Sequence, residues 1–194
     1  QFSALLGSVY AAGMQAFVHA NADAAVDLLL QAHQEHNPLA REDSRTVIIH
    51  SQFIRHDQLA SYARYGMAPA FFSNHAYFWG DVHVENLGEK RAHYLSPMRS
   101  ATEIGLHFTN HSDYMVTPLS PLFTVWSAVN RVSRSGKVIG SEERITPLQA
   151  LKAITLDAAW QYREEDSKGS ITVGKKADLV VLGDNPLTVA PMKI

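Results

Sequence analysis

The chain has no cysteine among its 194 residues. Disulfides and thiolate ligands are therefore excluded, and any metal must be held by imidazole and carboxylate. The lack of cysteine also suits a cytoplasmic location. There is no excess of positive charge: 17 Lys and Arg stand against 19 Asp and Glu, a formal net charge of −2. Nucleic acid and acidic membrane surfaces are thus not expected partners. No apolar run approaches the roughly 18 to 20 residues of a membrane span, and the first residues lack the basic-then-apolar pattern of a signal peptide. No glycine-rich phosphate loop follows the first apolar run, which argues against a doubly wound dinucleotide-binding sheet. An initial methionine is also missing. The chain opens on Gln1 inside a helical pattern (Phe2, Leu5, Leu6, Val9, Tyr10), so it is expected to be a truncated or proteolytic piece of something longer.

What is present in quantity is histidine, ten in all, and their positions are informative. Helical spacing over residues 1–12 stops at Gly13, and the apolar run Ala16-Phe17-Val18 ends in His19. Residues 24–36 read as a helix whose Ala25, Leu28, Leu29 and Ala32 make one face. A connector with Asn37 and Pro38 leads to the β-branched run of residues 45–49, which ends in His50. Another helix, residues 55–65, is stopped by Gly66. Residues 67–72 form a third run, weakened as a strand by Pro69, that ends in Ser73-Asn74-His75. Residues 77–97 look too mixed for a simple connector and are read as a substrate-covering loop. A short helix at 98–105 precedes a fourth strand, residues 106–109, that stops in His111 and Asp113.

Residues 118–132 make a further helix, and residues 133–140 a basic loop. Thr146 as N-cap and Pro147 at the first helical position open a last helix to about Trp160. From Gly169 the period changes, and residues 170–173 and 177–182 read as two short strands.

Strand then helix, repeated, is the pattern of βαβ units and a parallel sheet. In a parallel barrel the carboxyl ends of all strands open on one rim, so His19, His50 and Asp113 can converge on one ion although they are far apart in sequence. A zinc-like divalent metal there would lower the pKa of a bound water to about 7. Asp113 could coordinate or take the proton. Each histidine alone reads more readily as a hydrogen-bonded residue under a loop; the recurrence at four successive strand ends reverses that preference. From the residues alone His75 is ligand, substrate contact or loop anchor. His107 reads as packed, His33, His36 and His56 as solvent-facing on helices, and Asp23 as a helix cap, while His83 and His93, in the long loop, are assigned no role. Trp79, Trp126 and Trp160 read as packing.

With these residues in place the chain resembles the amidohydrolase superfamily, specifically its imidazolonepropionase-like and YtcJ-like metal-dependent hydrolases, a group that includes proteins labelled exoenzyme regulatory protein. The resemblance is carried by HANAD at residues 19–23, His50-Ser51-Gln52, FFSNHAYFWGD at 71–81, Ser112-Asp113, NRVSRSG at 130–136, ERITPLQALKAIT at 143–155 and the tail GSITVGKKADLVVLGDNPL at 169–187.

The resemblance implies an α/β fold, the carboxyl-terminal half of a distorted (β/α)8 TIM barrel (strands five to eight) over residues 1–168. Residues 169–194 would begin a small composite β-sandwich. It implies His19 and His50 as metal ligands and Asp113 as ligand and general base. His75, His111 and Trp79 would lie on the substrate side. The implied reaction is hydrolysis of a non-peptide C–N bond in a small molecule by metal-activated water.

The H-x-H pair of strand one and the bridging residue of strand four are nowhere in the chain. The metal, zinc first, is therefore expected to be absent or weakly held by this chain alone. The missing amino-terminal half of the barrel is the expected partner, and exposed sheet edges predict a homo-oligomer. The alternative is a non-catalytic regulatory or binding protein that keeps the fold.

Overall fold

Val47, Ile48 and Ile49, three β-branched residues in a row, form the core of strand β2 (Val47–Phe53), buried along almost its whole length. Burial on both faces is what a strand inside a parallel sheet requires. In this computed structural model, which describes residues 1–37 and 44–194, β2 lies between β1 (Phe17–Ala22) and β3 (Ala68–Phe71). A two-residue β4 (Thr109–Asn110) completes a parallel sheet in the order β1-β2-β3-β4. The register pairs Ala20 with His50, His50 with Phe71, and Phe71 with Asn110. His50 is thereby set level with the carboxyl ends of β3 and β4. Pro38, in the expected connector, lies outside the described residues.

Helix α1 (Phe2–Ala11) precedes the sheet and packs on α2 (Asp23–His36), and α3 (His56–Tyr65) follows β2. The ends of α3 are set locally. The Arg55 amide donates to Gln58 Oε1 at 2.9 Å, and Gly66 closes the helix at φ 62°, a conformation that glycine adopts without strain. Val26, Leu29, Ile48, Tyr62, Met67, Phe71, Met98 and Val125 belong to one continuous core between the helices and the sheet.

Several expectations are corrected. Residues 77–97 are not an open loop: α4 (Asn74–Leu87) and α5 (Glu89–His93) occupy most of them. Gly80 made that stretch look unhelical, but its missing side chain is required by packing, since a Cβ there would lie 2.6 Å from Ile139 Cγ1. The short helix α6 (Met98–Glu103) forms as expected, whereas the fourth strand keeps only Thr109 and Asn110, leaving Leu106, His107 and Phe108 outside it. His107 is exposed and stacks on Trp160 at 4.3 Å.

The seventh helix, α7 (Pro121–Asn130), starts at its proline. Thr146 caps α8 (Pro147–Ala153) as read, but the helix then breaks and resumes as α9 (Leu156–Gln161). Residues 170–173 and 177–182 form no strand. Strands β1 and β2 run three residues beyond His19 and His50. His33 is buried, not solvent-facing. Among the described residues no helix is long and apolar enough to cross a membrane.

Candidate active site

His50 is the centre of the site. It and Ser51 take positive φ, 78° and 45°, and Asp113 takes 49°. Non-glycine residues in that region cost roughly 1–3 kcal/mol each, and such strain gathers where side chains must be aimed. The His50 ring meets His19 edge-on at 4.6 Å between centroids and His111 at 5.1 Å, and its Nε2 lies 4.0 Å from Asp113 Oδ2. Burial holds the His50 imidazole below its ordinary pKa; the nearby Asp113 works against this and His19 adds to it. His50 is thus a neutral ring, and its buried Nδ1 has no hydrogen-bond partner.

His111 follows β4 and stacks on Phe72 at 5.1 Å. Its Nδ1 accepts the Asp113 backbone N–H at 3.1 Å, so the neutral ring carries its proton on Nε2, which is buried and unpartnered. Burial first, and then the proximity of His50, lowers its pKa to about 4, against the pull of Asp113. The turn that presents Asp113 is pinned from below. Thr117 Oγ1 donates to the Ser112 carbonyl and accepts Asn74 Nδ2 at 3.1 Å. Asn110 donates to Ser73 Oγ at 2.8 Å and to the Thr124 carbonyl at 3.2 Å, and its Oδ1 receives the Ser73 N–H at 3.1 Å. This buried set joins β4, the start of α4 and α7, so the turn that carries Asp113 is fixed by three elements at once.

His75 is not a strand-end residue but stands in the first turn of α4, two residues after Ser73. Its ring lies edge-on to Phe72 at 4.6 Å and 4.6 Å from Trp79. The fold therefore brings His19, His50, His111 and Asp113 together and sets His75 and Trp79 beside them. Asp23 is the first residue of α2 and not its cap, which is Ala22; its Oδ1 receives the Ala24 N–H and Arg91 Nη2, each at 3.0 Å.

Sequence reading assigned no role to Gln52 and left His83 undecided. Gln52 Nε2 lies 2.9 Å from His75 Nδ1 and 3.1 Å from His83 Nε2. The spacing His75, Trp79, His83, four residues apart each time, was the available signal, because on a helix it defines one face.

The donor types suit a divalent metal: neutral imidazoles, an orphaned buried ring nitrogen and a carboxylate. The count falls short, since among the described residues no group of three or more His, Asp and Glu side chains is placed to hold one.

A model of the Amidohydrolase family matches residues 1–194. The chain belongs to that family. It is 27% identical over 179 residues to the N-substituted formamide deformylase of Arthrobacter pascens, covering 92% of this chain and 33% of that protein. It is 28% identical over 189 residues to the putative amidohydrolase YtcJ of Bacillus subtilis (strain 168), covering 94% of this chain and 35% of the relative. The YtcJ-like resemblance read from the motifs therefore holds. Among solved structures, an uncharacterized metal-dependent hydrolase from Pyrococcus horikoshii OT3 superposes with a TM-score of 0.82 at 22% identity, over 98% of this chain and 38% of that one. That likeness shows a shared fold. The amidohydrolase chain spans about a third of the length of the curated relatives it matches.

Proposed function

We propose that the chain forms part of a hydrolase that cleaves non-peptide, amide-type C–N bonds of a small molecule, with His19, His50 and Asp113 as its share of a divalent-metal site. The observation that carries this reading is the convergence on His50, in β2, of His19 from β1 and of His111 and Asp113 from the segment that follows β4. In it, residues 1–168 supply strands five to eight of the barrel and residues 169–194 begin the composite β-sandwich. The remaining metal donors come from outside this chain. When bound, the metal, zinc by donor chemistry, supplies a Lewis acid and a water of lowered pKa.

The chain's own residues do the rest. Asp113 Oδ2, at the open end of the site, accepts the proton of the attacking water. His75 offers an N–H group to the carbonyl oxygen as it gains charge, while His111 holds the turn of Asp113 by accepting its backbone N–H. Phe72 and Trp79 form an apolar wall that keeps water from the substrate's far side.

The shortfall of donors favours a second reading, a binding or regulatory protein that retains the fold without turnover. Elemental analysis decides between them, run on the chain alone and on the longer protein of which this reading makes it a part, with His50→Ala as control. Zinc in the longer protein that falls at least tenfold in His50→Ala, with amide hydrolysis lost in parallel, supports the hydrolase. Absence of metal from the longer protein, prepared without chelator, would leave the binding protein.

A further inference from the structure

Three nitrogens meet behind the substrate wall. Gln52 Nε2 is 2.9 Å from His75 Nδ1 and 3.1 Å from His83 Nε2, and the two ring nitrogens are 3.2 Å apart. The rings are clamped. His83 meets Phe53 edge-on at 5.0 Å, and His75 is held between Phe72 and Trp79. The Gln52 side chain is fully buried, and its Oε1 touches no hydrogen-bonding group.

These contacts determine where the protons sit. A glutamine amide nitrogen has two hydrogens to give. Were the amide turned over, both would be buried in the place where Oε1 now stands without a partner. Two unmade donors cost more than one unmade acceptor. The amino group therefore faces the rings, one hydrogen to each. His75 Nδ1 and His83 Nε2 are then both acceptors, and their contact cannot itself be a hydrogen bond. A neutral ring that accepts at one nitrogen carries its proton on the other. His75 is protonated at Nε2 and His83 at Nδ1, opposite forms in neighbouring rings. His75 Nε2 has no partner among the described residues and, unlike His111 Nε2, is not sealed from solvent.

We propose that Gln52 is a positioning residue: it fixes His75 as the Nε2–H tautomer, offering that N–H to a carbonyl oxygen of the substrate, and it holds His83 in the opposite tautomer as a second anchor. The proposal rests on the reading of His75 as a substrate contact. It adds that Gln52 sets the proton on which that contact depends, and that the substrate group recognised there is a hydrogen-bond acceptor.

Side-chain nitrogen NMR of uniformly 15N-labelled protein tests this without any turnover, because pyridine-type and pyrrole-type ring nitrogens differ in shift and His75→Gln and His83→Gln assign the signals. The expected result is pyrrole-type Nε2 in His75 and pyrrole-type Nδ1 in His83. Gln52→Glu, whose carboxylate can only accept, is expected to reverse both. Gln52→Met, of similar length and without a donor, is expected to release His83 to Nε2–H while His75 stays as it is.

A wild-type His75 protonated at Nδ1, or tautomers indifferent to both substitutions, would overturn the proposal. In an active longer protein, Gln52→Glu should lower kcat by about 10²- to 10³-fold, as loss of a donor to a developing oxyanion does, with little change in KM. An unchanged kcat would remove the positioning role even where the tautomers agree. A failure of the hydrolase reading would appear differently, as absent turnover with the tautomers intact.

Discussion

His33 shows how much a single buried imidazole contributes. Its Nδ1 lies 2.7 Å from Tyr10 Oη, which also meets Thr46 Oγ1 at 2.7 Å, and its Nε2 has no partner. Burial lowers its pKa from 6.5 to about 4. In the unfolded chain the ring takes its proton near pH 6.5, and in the folded chain only near the lower value. Between the two the unfolded state binds more protons, so stability is full above pH 6.5 and is lost as pH falls through about 4. The shift corresponds to on the order of 3 kcal/mol. His33→Phe, which fills the space and cannot ionise, should flatten the fall in urea midpoint between pH 7 and pH 4.5. A variant as acid-sensitive as the wild type would place the effect elsewhere.

Burial of His33 was legible in its spacing, since Val26, Leu29 and His33 recur at three and four residues and all are buried. Choosing the neighbouring stripe of Ala25, Leu28 and Leu29 turned His33 outward. The polar residues of the site were legible for a different reason. A histidine at the end of an apolar run stands out in any sequence, whereas Gln52 has meaning only once β2 and α4 are adjacent.

At the level of elements, α4 and its neighbours depend on one fully buried guanidinium. Arg131, just past the end of α7 at φ 48°, donates to the carbonyls of Ile139 at 2.8 Å, Leu95 at 2.8 Å, and Ser96 and His93 at 3.3 Å. It closes the segment between α5 and α6 onto α7, and with it the roof over Gly80 and Ile139. Without it these buried carbonyls would lose a charged donor, although that of Ser96 also accepts the Met98 N–H at 2.8 Å. Arg131→Met should cost at least 3 kcal/mol in urea unfolding, because buried hydrogen bonds to a charge are worth roughly 1.5–3 kcal/mol each and do not add fully. Arg131→Lys should recover part of that, since an ammonium lacks the fork but keeps the charge. Equal stability of all three proteins would show that these carbonyls find other partners.

In the sequence this arginine lay near the end of the helix expected over residues 118–132, just before the stretch that read as a basic loop. Local composition does not reveal that the chain folds back over it. The parallel sheet was easier to read, because alternation of strand and helix is a local pattern repeated along the chain, and the β1-β2-β3-β4 order follows from it.

For the whole molecule the unread part is the tail, and the reason is physical. Residues 170–173 and 177–182 have the composition of strands, but a strand exists only with a partner to take its hydrogen bonds. None of the described residues pairs with them. Ile171, Val173, Val180 and Val181 consequently lie largely in solvent, as do Tyr114, Met115, Val116 and Leu119 around the Asp113 turn. Strands β1 and β4 are the two edges of the sheet. Unpaired edges and clustered exposed apolar residues both favour association between chains. The chain by itself should therefore show a concentration-dependent rise in sedimentation coefficient at micromolar concentration. Val173→Lys with Val181→Lys should reduce it without lowering the unfolding midpoint, because neither side chain belongs to the core. If the wild-type chain sedimented as a monomer at every concentration, its apolar tail would have to be covered from within, and the exposed arrangement of residues 170–182 would be wrong.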